Sequence, residues 1–150
     1  MLIFPHILYQ GAFMQFQETF DLIMKEGQQL VLATSVDNRP NVRIMSYYYE
    51  PTSKSLFVST FDKSAKVKEI EANDNVAFSI QFSDHQAIRV NNAKIHQSQK
   101  TIEEVKDGFI AKDPSYANTS KMPGMLLYEI DFNQARVIAG FKKVSDIEIS

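Results

Sequence analysis

Residues 30–49 read L-V-L-A-T-S-V-D-N-R-P-N-V-R-I-M-S-Y-Y-Y. Two runs rich in strand formers flank D-N-R-P at 37–40, where Asp, Asn and Pro supply the backbone geometry of a turn. The stretch therefore predicts a strand over Gln29–Val36, a turn, and a second strand over Val42–Tyr49. On that second strand Val42, Ile44, Ser46 and Tyr48 share one face, and Arg43, Met45, Tyr47 and Tyr49 the other. P-T-S-K at 51–54 turns the chain into a third strand over Leu56–Thr60, which predicts an antiparallel meander.

Upstream, Phe13, Phe16, Phe20, Ile23 and Met24 recur at three- and four-residue steps, so an amphipathic helix is predicted over Ala12–Glu26, closed by Gly27. The apolar opening M-L-I-F-P-H-I-L-Y lacks a basic leader and a small-residue cleavage site. It reads as packing material or an irregular arm, not a signal peptide. Downstream a short helix spans about Ser64–Ala72, ended by N-D-N at 73–75. Strands follow over Val76–Phe82 and Ala87–Gln97, joined by S-D-H-Q. T-I-E-E at 101–104 gives a capping-box start to a helix over Thr101–Ala111. Residues 112–124 read as a long loop, and Leu126–Phe132 with Ala135–Phe141 as a last hairpin turning at Asn133. There is no βαβ alternation. The prediction is a mainly β chain of about six or seven antiparallel strands and about three helices. It forms a closed or partly closed barrel, with residues 1–150 as a single domain.

Composition narrows the function. A net charge of −2 gives no electrostatic footprint for nucleic acid or an anionic membrane. The absence of cysteine excludes disulfides, thiolate metal sites and cysteine nucleophiles, and agrees with a cytoplasmic setting. No apolar run reaches the roughly 20 residues that span a bilayer. His6, His85 and His96 show no ligand-like spacing, Glu103 and Glu104 fall on a helix surface, and Asp37 and Asp62 are turn or cap residues. No metal site is predicted, and no glycine-rich phosphate loop is present.

The basic groups around the third strand are more informative. Residues 59–68, S-T-F-D-K-S-A-K-V-K, carry the chain from a strand end into a helix start, where free N–H groups and the positive dipole end suit a phosphate. Thr60 and Ser64 offer hydroxyls there. On a helical wheel Lys66 flanks the apolar stripe of Val67 and Ile70, whereas Lys68 points nearly opposite. Spacing alone also fits an ordinary helix with solvated lysines. Arg43 stands mid-strand among apolar residues: facing inward it needs an anion, and facing outward it needs nothing.

Two runs together resemble the FMN-binding split-barrel family. They are the stretch quoted at the outset and L-F-V-S-T-F-D-K-S-A-K-V-K-E-I-E-A-N-D-N-V-A-F-S-I at 56–80. That family includes pyridoxamine-phosphate oxidase, the nitroimidazole-resistance reductases and general-stress flavoproteins. The resemblance covers about residues 28–82 clearly and the remainder in outline. It implies a six-stranded split barrel that dimerises with FMN at the dimer interface. By position, Arg43 and Lys66 would hold the phosphate with Thr60 and Ser64. Arg43, Ile44, Met45 and Ser46, with Ser59, would run along the flavin ring, largely through backbone groups. Two departures stand out. Ala65 occupies the position of an arginine in the oxidase phosphate motif, and R-V-I-A-G-F-K-K at 136–143 lacks the oxidase's tryptophan and substrate-phosphate arginine pattern. The resemblance is therefore to the compact reductase-like branch rather than to the vitamin B6 oxidase. It implies an NAD(P)H-dependent oxidoreductase passing electrons to a small planar acceptor such as a nitro compound. Tyr47, Tyr48 and Phe61 are candidates to line its cleft, with no side chain assigned as acid or base. The second expectation, of another class, is a non-catalytic binding module for flavin, deazaflavin or haem.

Overall fold

The computed structural model describes the backbone of residues 5–149, with side chains described from Gln15 onward. Helix α1 spans Pro5–Glu26, seven residues longer at its start than the periodicity predicts. The apolar periodicity begins at Phe13, while Pro5 suits a first helical position and the helix runs through Gly11 despite glycine's poor helix propensity. The irregular-arm expectation is thus corrected from Pro5 onward. Its first four residues, and the side chains of His6 and Phe13, lie outside the described residues. Phe20, Ile23 and Met24 form the buried face of α1, as their spacing requires.

Strand β1 (Gln29–Val36) pairs with β2 (Arg39–Ser46) through the predicted turn, with Asp37 and Asn38 both at positive φ. The two faces of β2 are as predicted: Val42 and Ile44 are exposed, while Met45 is buried. The strand does not continue to Tyr49. It breaks at Tyr47, and Tyr48–Glu50 form a separate strand β3 that pairs with β4 (Ser55–Phe61). The predicted meander is corrected accordingly: β1 lies between β2 and β5, whereas β4 lies between β3 and β7.

The break has a visible physical cause. Tyr47 is completely buried, and its hydroxyl donates to the Ile23 carbonyl in the last turn of α1 at 2.9 Å. Gly27 lies so close to that hydroxyl that a Cβ there would collide with it. Lys112, the last residue of α3 (Ile102–Lys112), completes the junction. Its ammonium sits 3.7 Å from the Tyr47 ring centroid and donates to the Gly27 carbonyl at 2.7 Å. The capping box predicted for α3 is present, with Thr101 and Glu104 satisfying each other's backbone N–H.

Helix α2 (Ala65–Ala72) follows β4 and buries Val67 and Ile70. Strands β5 (Asn75–Ser83) and β6 (Gln86–Gln97) form the longest hairpin. A short helix α4 (Tyr116–Thr119) interrupts the predicted loop and leads into β7 (Met125–Asp131). The expected terminal hairpin is also corrected. β7 pairs with β6 at Lys94–Gln97, and β8 (Gln134–Gly140) pairs with β6 at Ala87–Arg89. The hairpin partner of β8 is instead β9 (Lys143–Glu148), a strand the sequence reading missed, reached through Lys142 at positive φ. Phe132, packed against Phe20 and Phe78, keeps the β7–β8 connection folded into the core instead of free as a turn. All pairings are antiparallel. The main core fills the barrel. A second cluster of Phe57, Val105, Phe109, Tyr116 and Leu127 seats α3 and α4 on the outside of β4 and β7.

Burial pulls the Lys112 ammonium down from 10.5 to about 8, so it releases its proton more readily in the folded chain than in the unfolded one. Between those two values the unfolded chain binds more protons, and stability rises with pH. Denaturant midpoints measured across that window should climb more steeply for the wild type than for Lys112→Met. Equal slopes would show that the buried ammonium carries no penalty.

Candidate functional site

Thr60, at the end of β4, is buried, and its Oγ1 accepts a hydrogen bond from Lys66 Nζ at 2.8 Å. Ser64 is the N-cap residue of α2 but does not cap it through its side chain. Its Oγ instead accepts from the same ammonium at 2.7 Å. Lys66 is thus turned back over the sheet edge, as the wheel predicts, while Lys68 is exposed and lines an open cleft of ≈ 560 Å³ with Val36, Asp37, Arg39, Asn41 and Glu69. Lys66 has two neutral hydroxyl partners and, among the described residues, no carboxylate within 4.0 Å. Burial and the neighbouring positive charge of Arg43 lower its pKa against the opposing pull of Glu69.

Arg43 faces inward, and the anion it meets comes from the chain itself. Its Nη2 donates to Glu69 Oε2 at 2.6 Å, and its Nη1 donates to Thr34 Oγ1 at 2.8 Å and to the Leu32 carbonyl at 3.2 Å. Three of its five N–H groups are thereby engaged, which leaves two to donate elsewhere. Thr34, also buried, donates to Glu69 Oε2 at 2.6 Å, and Asn41 Nδ2 donates to Glu69 Oε1 at 3.1 Å. The hydroxyl of Thr34, opposed by burial and aided by Arg43, holds the Glu69 carboxyl below its usual range. Two cations and one anchored carboxylate therefore define the corner, and its net charge is positive. A phosphate, with several acceptor oxygens and negative charge, fits this donor set.

The structure brings Thr60, Ser64 and Lys66 together and sets Arg43 beside them. It treats the other candidates differently. The Ile44 side chain is exposed and so is Ser46, while the Met45 side chain belongs to the core and is open to a ligand only through its backbone. Ser59 Oγ accepts from the Tyr116 hydroxyl at 2.9 Å, which ties α4 to the strand leading into the corner. Tyr47 is a core residue. Tyr48 stacks on Phe57 beneath α3, and Phe61 remains partly exposed at the end of β4.

The sequence reading missed Glu69, Thr34, Asn41 and Tyr116. A signal for Glu69 existed: it lies three residues beyond Lys66 and so on a neighbouring strip of the same helix. Thr34 is two residues from the cross-strand partner of Arg43, visible once the β1–β2 register is known. Among the described residues no three His, Asp or Glu side chains converge as metal ligands. His96 pairs with Asp131 at 2.8 Å, and His85 meets the Phe141 ring edge-on.

Residues 23–143 match the family model described as pyridoxamine 5'-phosphate oxidase-like, and the chain belongs to that family. Three solved structures share its fold. General stress protein 26 of Bacillus anthracis is 22% identical with a TM-score of 0.68, over 89% of this chain and 98% of that one. A NimC/NimA family protein of Clostridium acetobutylicum is 17% identical with a TM-score of 0.66, over 92% and 94%. HutZ, the haem storage protein of Vibrio cholerae, is 14% identical with a TM-score of 0.63, over 77% and 89%. No curated protein matches the chain. The family and the antiparallel split barrel agree with the sequence reading.

Replacing Thr34 with valine would leave Arg43 and Glu69 each short of a hydrogen bond in a part-buried site. The expected loss of stability is about 1–3 kcal/mol, read as a lowered urea midpoint. An unchanged midpoint would mean that the triangle contributes nothing to folding.

Proposed function

We propose that this chain is an FMN-binding flavoprotein, acting as an NAD(P)H-dependent oxidoreductase on a small planar acceptor such as a nitro compound. The observation that carries the reading is Lys66, a half-buried ammonium held by two hydroxyls beside a second cation and without a carboxylate of its own. Such a site gains from a bound anion. Lys66, Thr60 and Ser64 would hold the cofactor phosphate, with the two remaining N–H groups of Arg43 assisting. The ring would lie along Arg43, Ile44, Met45, Ser46 and Ser59. When bound, the flavin supplies the redox chemistry, accepting a hydride at N5 and passing electrons on. The protein's part is to bind, orient and limit access of water, and none of its side chains is assigned a proton-transfer role.

A homodimer belongs to the proposal. Val31 and Ile44 are directly paired across β1 and β2, Ala33 and Val42 likewise, and Val31, Val42 and Ile44 are all exposed. That apolar outer face lies on the strand carrying the ring-side candidates, and a second copy covering it would enclose the flavin. We place the protein in the cytoplasm on its cysteine-free composition; no helix among the described residues is long and apolar enough to cross a membrane. The second reading, a flavin, deazaflavin or haem module without turnover, draws support from the fold shared with the haem storage protein.

The chromophore extracted from purified protein should be FMN, bleached by NADH or NADPH and restored by air or an added acceptor. Haem absorption, or a flavin that no nicotinamide reduces, would select the second reading. Lys66→Ala and Arg43→Ala should each weaken FMN binding by about 10- to 150-fold, the loss of one charge-assisted contact. Lys68→Ala should leave it unchanged, and an equal loss there would sink the phosphate assignment. Ile44→Asp should shift the sedimentation coefficient from dimer to monomer.

A further inference from the structure

Glu69 is the unexpected member of the corner. Its carboxylate receives hydrogen bonds from Thr34 and Arg43 on one oxygen and from Asn41 on the other. Donors from β1 and β2 thus pin a side chain of α2, and the carboxylate cannot swing away when another anion arrives. Both ends of the Arg43–Glu69 pair are mostly withdrawn from solvent, at 19% and 20% side-chain exposure. Screening by water and salt is weak at such a site compared with a surface pair.

We propose that Glu69 competes with bound phosphate for Arg43, and so fixes the phosphate corner as a weak, exchangeable site instead of a permanent clamp. This inference rests on the phosphate reading of the corner. Lys66 and Arg43 together would meet a phosphate dianion with two positive charges. Glu69 cancels one and engages an N–H of Arg43. An arriving phosphate must then share the guanidinium through its remaining donors and tolerate a fixed like charge nearby. Glu69 touches neither the ligand nor any reacting atom in this scheme. It is a specificity-determining residue that acts through Arg43, and it discriminates against groups of high negative charge.

The test uses the full chain and three probes of binding. FMN and riboflavin differ only in the phosphate, and their affinities can be read by flavin fluorescence in wild type and Glu69→Gln. Glutamine retains hydrogen-bonding capacity towards Thr34 and Arg43 while removing the charge. FMN should bind roughly two- to fivefold tighter to the variant, the size of one part-exposed charge interaction, and riboflavin should bind both equally. Inorganic phosphate, titrated against the Lys66 side-chain NMR signal, should show the same gain. In an Arg43→Ala background the gain should vanish, because the competition has lost its object. Weaker or unchanged FMN and phosphate binding in Glu69→Gln overturns the proposal and makes Glu69 a mere support for Arg43. A gain that persists without Arg43 overturns the route through the guanidinium. Should wild type bind neither flavin, the flavin reading fails and the phosphate titration alone decides, with no phosphate binding in either protein counting against the inference. Thermal melts of each variant separate misfolding from altered binding.

Discussion

The hydroxyl of Tyr47 is where the structure is committed. A fully buried phenol must find an acceptor or bear the cost of an unmade hydrogen bond, and the only direction it takes is into the last turn of α1, at Ile23. That single requirement holds the chain at the point where β2 stops and β3 begins. It places α1 against the barrel, forbids a side chain at residue 27, and gives Lys112 a ring face to sit on. β2 is an edge strand whose outward Val42 and Ile44 are exposed, and its inward arginine reaches Glu69 of α2.

The corner itself is an exercise in unequal charge. Arg43, Thr34 and Glu69 form a closed triangle that is complete without any ligand. Lys66 is not complete in the same sense, because hydroxyls take two of its three N–H groups and none of its charge. Burial makes both facts matter more than they would on a surface. Stability and binding overlap at Arg43: the triangle serves the fold, and Lys66 with the two remaining Arg43 N–H groups is left for an anion.

Much of this was legible in the sequence because it rests on local physics. The D-N-R-P turn, the alternation along Val42–Met45, the capping box at Thr101 and the split between Lys66 and Lys68 all follow from backbone periodicity and turn chemistry. The misses have one cause. Which strands become neighbours is decided by tertiary packing, and nothing local announces that β6 is shared by β7 and β8, or that Tyr47 ends a run of strand-forming residues. Glu69 was lost for a related reason. On a helix wheel it is one more charge on a solvated-looking strip, and only the arrival of β1 and β2 turns it into the counterion of Arg43. Of the two orientations open to Arg43 the structure takes the inward one with its anion, and sequence could not say whether ligand or protein supplies that anion.

The sharing of β6 has a mechanical consequence. On one side β6 is laddered to β5 with a register shift between Val76 and Phe78, opposite Val90–Ala93. On the other side its pairing passes from β8, at Ala87–Arg89, to β7, at Lys94–Gln97. Asn91 and Asn92 therefore fall at a seam, where neither neighbouring ladder pairs them and both side chains are exposed. The wall of the barrel is continuous through its core side chains but interrupted in its backbone at that point. Ala135, Val137 and Ile147 share the core with Leu30, Leu32 and Ile70, so at the seam the half built on β8 and β9 is joined to the half that carries the charged corner by side-chain packing rather than by backbone pairing.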